Sequence, residues 1–173
     1  IQLFPELIKA ACSMIGAWGE ATHDGGLLQL RALDFMPQAS INHYPLITVY
    51  HSNENDGHDF VTVGWACFVG AITGYSKHNA ICEKFWSKYP GKDKRIGTPF
   101  HFILRDILQY DNSISDSENR LRNAKRTCSV FVGVGSSHDN KFRAFEYSHD
   151  IVEKFNWDTD FPSYAPQSEE HPN

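Results

Sequence analysis

Short apolar segments with partial alternation fill the first half of the chain, and they predict β-strands. The first two, CSMIGAW and LLQLRALDF, are joined by GEATHDGG. The Asp24-Gly25 pair in this connection is a strong hairpin signal, because glycine accepts a positive φ. Further strands are predicted in PLITVYHS, in HDFVTVGWACFVG and in the hairpin AITGYSKHNAICEKFW. Successive strands without an intervening helix indicate antiparallel sheets rather than βαβ units.

The apolar period then changes to that of a helix, in TPFHFILRDILQY. Thr98 is the predicted N-cap and Pro99 the first helical residue. The apolar residues of this segment form one stripe at helical spacing: Phe100, Ile103, Leu104, Ile107 and Leu108. A second helix, SDSENRLRNAK, is predicted to open with a capping box of Ser115 and Glu118, and its narrow apolar face predicts an outermost position. The strands RTCSVFVGVG and KFRAFEYS follow, so the fold class is α+β, with the helix pair over one sheet face.

Composition excludes some function classes. The chain has 173 residues, of which 41% are hydrophobic and 21% charged, which suits about one globular domain. The net charge of −5 argues against a nucleic-acid surface, which requires a basic stripe. No apolar run approaches the roughly 20 residues that cross a bilayer. The nine histidines are scattered without zinc-site spacing, and the four cysteines have no metal-like spacing.

The first hairpin brings candidate chemistry together. Cys12 starts the first strand, and Arg31 and Asp34 lie at the far end of the second, which the turn returns to the neighbourhood of Cys12. A guanidinium favours the thiolate, which is the nucleophilic form of cysteine. The alternative interpretation is that Cys12 fills the core and that Arg31 and Asp34 form a surface ion pair.

Several segments resemble one family. AACSMIGAWGEATHDGGLLQLRALDF is similar to the nucleophile segment of acid-ceramidase-like cysteine N-terminal-nucleophile hydrolases, which include N-acylethanolamine acid amidase and the penicillin acyltransferases. VGWACFVGAITGYSKHNAICEKFW resembles the family's next block, a glycine-rich segment that ends in an acidic strand. TPFHFILRDILQY and AKRTCSVFVGVGSSHDNKFRAFEYS resemble its helix and following hairpin. The likeness runs in order over nearly the whole chain, and it implies an αββα sandwich of antiparallel sheets.

The resemblance also implies a mechanism and site residues. The thiol of Cys12 would attack the carbonyl of Ala11, and water would resolve the thioester, leaving Cys12 with a free α-amine. An α-amine has a pKa of about 8 and suits proton transfer. Asp34 would bind this amine, Arg31 would line the site, and Glu83 matches the acidic position of the second block; alternatively, Glu83 is a solvated strand carboxylate.

The same comparison gives expectations about the chain as a whole. Residues 1–11, a helix-like lead, would be the end of a leading peptide or propeptide, and residues 12–173 an N-terminal-nucleophile hydrolase domain that is incomplete at its C-terminus. The expected activity is hydrolysis of a linear non-peptide amide, an N-acyl lipid amide, with no cofactor or metal. The partners would be that substrate and the remainder of the precursor chain, in a lysosomal or secreted protein.

Other interpretations remain open from the sequence. A catalytically silent structural or interaction protein could keep the fold, because the family's oxyanion asparagine is assigned to no residue here. An acyltransferase would use the same residues with another acceptor. A papain-like pair would need His101 or His149, and His101 is better explained as helix packing. Cys67 and Cys82 flank a hairpin and either pair or remain thiols.

Overall fold

A computed structural model describes residues 11–34, 39–53, 56–87 and 89–155, in which two antiparallel sheets stack face to face. The small sheet pairs β1 (Ala11–Gly19) with β2 (Gly25–Asp34). The large sheet has seven strands in chain order: β3 (Pro45–Tyr50), β4 (Phe60–Trp65), β5 (Thr73–Ser76), β6 (Asn79–Phe85), β7 (Val130–Ser136), β8 (Lys141–Tyr147) and β9 (Val152–Phe155). A short 3₁₀ helix, Ser40–His43, precedes β3.

Two helices, α1 (Phe100–Tyr110) and α2 (Ile114–Asn123), connect β6 to β7. The predicted apolar stripe of α1 is confirmed, because its residues are all buried: Phe100, Ile103, Leu104, Ile107 and Leu108. They pack in one core with Ile81 of β6 and Val132 of β7. The helix pair therefore covers one face of the large sheet, as the sequence predicts.

The predicted helix starts are wrong by one or two residues. The N-cap of α1 is Pro99, without a side-chain cap, and the N–H of Thr98 donates instead to the carbonyl of Lys125 at 2.8 Å. The N-cap of α2 is Ser113, whose hydroxyl accepts the N–H of Asp116 at 3.1 Å. The capping box predicted at Ser115 and Glu118 does not form.

Glu118 instead accepts hydrogen bonds on the helix surface, from Arg122 at 2.9 Å and from Lys154 at 2.7 Å. The carboxylate of Asp116 accepts hydrogen bonds from the hydroxyl of Ser113 at 2.9 Å and from the N–H of Asn112, the residue before the N-cap, at 3.1 Å. A serine with an acidic residue three positions later occurs twice in succession here, and the sequence pattern alone does not choose between the two registers.

Opposite faces of β6 meet different layers. Ile81 faces the helices, whereas the sulfur of Cys82 contacts Met14 of β1 and accepts a hydrogen bond from Gln29 of β2. Since neighbouring strand residues point to opposite faces, the small sheet lies on the face of the large sheet that the helices leave open. The predicted fold class is confirmed: stacked antiparallel sheets with helices outside. In the described ranges, helices cover the large sheet only.

Glycines allow the two sheets to approach closely. A Cβ atom at Gly16 of β1 would lie 2.2 Å from Cγ of Phe142 on β8. On β7, a Cβ atom at Gly135 would lie 2.3 Å from Oε1 of Gln29 on β2. The sheets are therefore in contact along the inner face of β1 and β2. Within the described ranges, neither helix is long and apolar enough to cross a membrane.

Candidate active site

The register of the first hairpin decides which side chains face the large sheet. Cys12 pairs with Leu33, and Met14 pairs with Arg31. Directly paired residues of antiparallel strands share a face, and residues two apart on one strand share it too. Cys12 and Arg31 are therefore diagonal neighbours on the inner face, at a separation that a long side chain spans.

Arg31 is the centre of the site. Its Nη2 atom lies 3.5 Å from the sulfur of Cys12 and 2.5 Å from Oε1 of Glu83. Its Nη1 atom donates to the hydroxyl of Thr73 at 2.9 Å. One guanidinium thus connects β1, β5 and β6 to β2.

The strand ladder places Thr73 and Glu83 close together at the start of β5. Thr73 starts β5 and pairs with Cys82, so Glu83 lies just beyond the end of this ladder. The side chains of Arg31 and Glu83 are 5% and 10% exposed, which makes this a buried ion pair. The alternative of a solvated strand carboxylate does not describe Glu83, whose pKa is raised by burial although the Arg31 guanidinium opposes the rise.

Burial favours the thiol form of Cys12 over the thiolate. The residue is 4% exposed. Burial raises the pKa of the Cys12 thiol above its usual value, and the charge of Glu83 adds to the rise, while Arg31 and the N–H of Asp34 oppose it.

The structure places the Asp34 carboxylate outside this cluster. Asp34 pairs with Ala11, the residue before Cys12, and is exposed. Strand alternation assigns its side chain to the outer face, because Arg31 and Asp34 are an odd number of residues apart. Only the backbone of Asp34 reaches Cys12, through the N–H that donates to its sulfur.

A second cysteine, Cys82, also faces the small sheet. The sulfur of Cys82 accepts a hydrogen bond from Nε2 of Gln29 at 3.3 Å and lies 3.7 Å from Sδ of Met14. Burial raises the pKa of Cys82 to about 11, with Gln29 and Arg31 opposing. All four cysteines fall in the described part of the chain and none forms a disulfide, so the pairing of Cys67 with Cys82 is excluded.

Of the four residues predicted for the site, three converge: Cys12, Arg31 and Glu83. Sequence reasoning missed Thr73, because no strand pattern indicates its contact with Arg31 on the other sheet. The packing explanation of His101 is confirmed, because it is fully buried among the rings of Phe68 and Phe102. His149 lies beside Asp150 in the connection between β8 and β9.

Metal binding has no support in the described ranges, where no group of three or more histidine, cysteine or acidic residues is arranged to hold an ion.

Comparison with known proteins gives two kinds of relative. The chain is 51% identical to protein dcd1B of Dictyostelium discoideum over 172 residues, and 51% identical to protein dcd1A of the same organism over 179 residues. These matches cover 99% of this chain but only 34% and 41% of those proteins. A protein of Archaeoglobus fulgidus, named only as uncharacterized, is 28% identical over 158 residues, which are 90% of this chain and 26% of that protein. No family model matches the chain.

A solved structure shows the fold. The Caenorhabditis elegans ortholog of N-acylethanolamine-hydrolyzing acid amidase superimposes with a TM-score of 0.63 over 84% of this chain and 63% of that chain. The sequence identity is 12%, so the likeness concerns the fold alone. The chain has an N-terminal-nucleophile hydrolase-like fold, and its structural neighbour is a hydrolase.

Proposed function

We propose that this chain belongs to a cysteine-nucleophile hydrolase of linear non-peptide amides, which acts on an N-acyl lipid amide after cutting its own backbone before Cys12. The observation that carries the proposal is the buried contact of one guanidinium, Arg31, with both the Cys12 sulfur and the Glu83 carboxylate. The fold supports it as well, because the solved structure that it resembles is that of an amidase.

Self-cleavage would proceed by an N-to-S acyl shift. The Cys12 sulfur attacks the carbonyl carbon of Ala11, the C–S bond forms, and the C–N bond of the peptide breaks. The thiol proton ends on the new α-amine of Cys12. Water then hydrolyses the thioester, which releases a carboxylate on Ala11 and restores the thiol.

Cleavage would change the electrostatics of the site. The guanidinium of Arg31, which contacts the uncleaved thiol, cannot accept a proton. The α-amine that cleavage creates is attached to the nucleophile itself and has an ordinary pKa of about 8, so it serves as the general base. Asp34 pairs with Ala11 in the first hairpin, and it would become the carboxylate partner of the amine through a rearrangement of the strand end after cleavage.

Turnover would repeat the same chemistry on an external amide. Cys12 attacks the amide carbonyl of the substrate, the α-amine delivers the proton to the leaving amine, and water hydrolyses the acyl-thioester. Arg31 stabilises the thiolate, and Glu83 holds Arg31 in the buried site. By the family resemblance, the protein would be lysosomal or secreted and act in lipid metabolism.

A second candidate is a catalytically silent protein that keeps the fold. The burial of Cys12 and the raised pKa of its thiol favour it, because a reactive cysteine is accessible and stabilised as thiolate. The two candidates differ in one bond, Ala11–Cys12, which the active enzyme must break.

Intact mass of the full-length protein tests the proposal. The wild type is expected to yield a fragment that begins at Cys12, whereas Cys12→Ala remains uncut. Cys128→Ala, a substitution of another buried cysteine, is the matched control and is expected to cut like the wild type. The processed protein should hydrolyse a fluorogenic N-acyl amide. A wild-type protein that stays uncut and turns over no amide at neutral or acidic pH supports the silent candidate instead.

A further inference from the structure

Arg31 is fixed by two anchors of different charge. Glu83 of β6 binds Nη2 as a carboxylate, and Thr73 of β5 binds Nη1 as a neutral hydroxyl at 2.9 Å. The remaining donor, Nε, is buried and has no hydrogen-bond partner among the described residues. Thr73 and Glu83 therefore set the orientation of the guanidinium. In this orientation, Nη2 also contacts the sulfur of Cys12.

The position of the Thr73 hydroxyl is set by regular structure on both sides. Thr73 pairs with Cys82 of β6 at the first position of β5. The next residue, Gly74, is packed so tightly that a Cβ atom there would lie 2.4 Å from the carbonyl oxygen of Val61 and 2.7 Å from Cδ1 of Leu108. A hydroxyl on such a strand holds its partner more exactly than one on a mobile loop.

We infer that Thr73 is the positioning residue of this site: its hydroxyl orients the Arg31 guanidinium so that Nη2 faces the Cys12 sulfur. This inference rests on the proposed function for its consequence in catalysis, and on the contacts of Arg31 for its geometry.

The neutral hydroxyl of Thr73 orients the Arg31 guanidinium without reducing its positive charge, which Glu83 alone cannot do. A carboxylate holds the guanidinium but offsets its positive charge, which the thiolate of Cys12 needs. The hydroxyl accepts a hydrogen bond without adding a charge. Thr73 therefore fixes the direction of Arg31 while leaving its charge available to Cys12.

The central experiment compares Thr73→Val with Thr73→Ser. Valine keeps the shape of threonine and removes the hydroxyl, so self-cleavage at Ala11–Cys12 is expected to slow by about tenfold, the factor typical of losing a hydrogen bond to a charged group. Serine keeps the hydroxyl and is expected to restore most of the rate. Thr48→Val on β3 removes a hydroxyl from the same sheet, two strands away, and is the control expected to match the wild type.

A second measurement observes Arg31 directly. In nitrogen-resolved NMR spectra of the uncut Cys12→Ala background, an anchored guanidinium gives separate Nη signals because its rotation is slow. Thr73→Val is expected to merge the Arg31 signals, and Thr73→Ser to keep them separate. Thr73→Ala replaces the valine variant if that protein does not fold.

The outcomes separate this inference from the proposed function. If the wild type does not cut itself, the proposed function fails, and the Arg31 signals still decide whether Thr73 positions the guanidinium. If Thr73→Val folds, cuts at the wild-type rate and leaves the Arg31 signals unchanged, Thr73 has no positioning role. A rate loss that serine does not restore also overturns the inference, because it assigns the effect to packing rather than to the hydroxyl.

Discussion

Arg31 carries one positive charge, and at the scale of single residues two acidic groups compete for it. Glu83 holds the guanidinium through an ion pair at Nη2, and the Cys12 thiol contacts the same Nη2 atom. Burial works against both anions, since it raises the pKa of Cys12 and of Glu83. A thiolate at Cys12 and a carboxylate at Glu83 therefore disfavour each other, and the charge of Glu83 contributes to keeping the thiol protonated.

Glu83→Gln should lower the pKa of Cys12. The substitution removes a negative charge that raises this pKa, and it leaves the charge of Arg31 to the thiolate. The measurement is the Cβ chemical shift of Cys12 as a function of pH, in protein in which the Ala11–Cys12 bond is intact. Glu20→Gln, at an exposed turn position, is the matched control. A Cys12 midpoint that stays in place or rises in Glu83→Gln contradicts this electrostatic account.

Sequence reasoning found Cys12 and Arg31 because a hairpin turn fixes which strand ends meet. It did not apply the two-residue period of the strand to the Arg-x-x-Asp spacing, which puts Arg31 and Asp34 on opposite faces. Glu83 came from the family resemblance alone. Thr73 could not be located, because its contact with Arg31 joins residues 42 positions apart through the stacking of two sheets.

At the scale of elements, the site depends on how closely the small sheet lies on the large one. Strand periodicity predicted the hairpins β1–β2 and β5–β6, and it gave the antiparallel arrangement. It assigned no strand to Val152–Phe155, a four-residue edge strand that is defined by its pairing with β8 rather than by its own pattern. The distance between the sheets is set by single glycines, whose role no period reveals.

Gly16→Val should destabilise the protein by about 1–3 kcal/mol or more, the usual cost of overpacking a close contact. Its Cβ atom would overlap the ring of Phe142, so β1 would have to move away from β8. Ala17→Val, on the opposite face of β1, is the matched control and should change the free energy of unfolding far less. Urea unfolding measures both. The displaced strand should also weaken the contact of Arg31 with Cys12 and slow self-cleavage. Equal stability of Gly16→Val and Ala17→Val would contradict the close stacking of the two sheets.

At the scale of the whole molecule, the described residues form a layered fold in which no described helix covers the outer face of the small sheet. The helices cover the large sheet, and the outer face of the small sheet exposes Ile15, Leu28 and Leu30. The α+β class and the helix pair followed from the change of apolar period along the sequence. The stacking of a two-stranded sheet on a seven-stranded sheet could not be predicted in this way, because the sequence of a strand does not determine by itself which sheet the strand joins.

Acid should destabilise this fold through one histidine in its helix-side core. His101 is fully buried, and neither of its ring nitrogens has a hydrogen-bond partner among the described residues. Burial lowers the pKa of His101 to about 4. In the unfolded chain an ordinary histidine binds its proton near pH 6.5. Between these two pH values the unfolded chain holds more protons than the folded chain, so stability is lost as pH falls from about 6.5 towards 4.

The contribution of His101 is isolated by comparing the wild type with His101→Leu in urea unfolding at pH 7 and near pH 4. At the lower pH, the wild type should lose on the order of 3 kcal/mol relative to the variant, from about 1.4 kcal/mol for each pKa unit between 6.5 and about 4.

Ile103→Val, a core substitution on the same helix without a titratable group, is the control, and its difference from the wild type should be the same at both pH values. Other buried acids such as Glu83 and Asp111 act in the opposite direction, because burial raises the pKa of each and favours the protonated, folded form. They are present in both proteins, so the difference between wild type and His101→Leu remains a measure of His101 alone. If this difference does not change with pH, His101 takes up no proton on unfolding, and the acid sensitivity of the fold has another source.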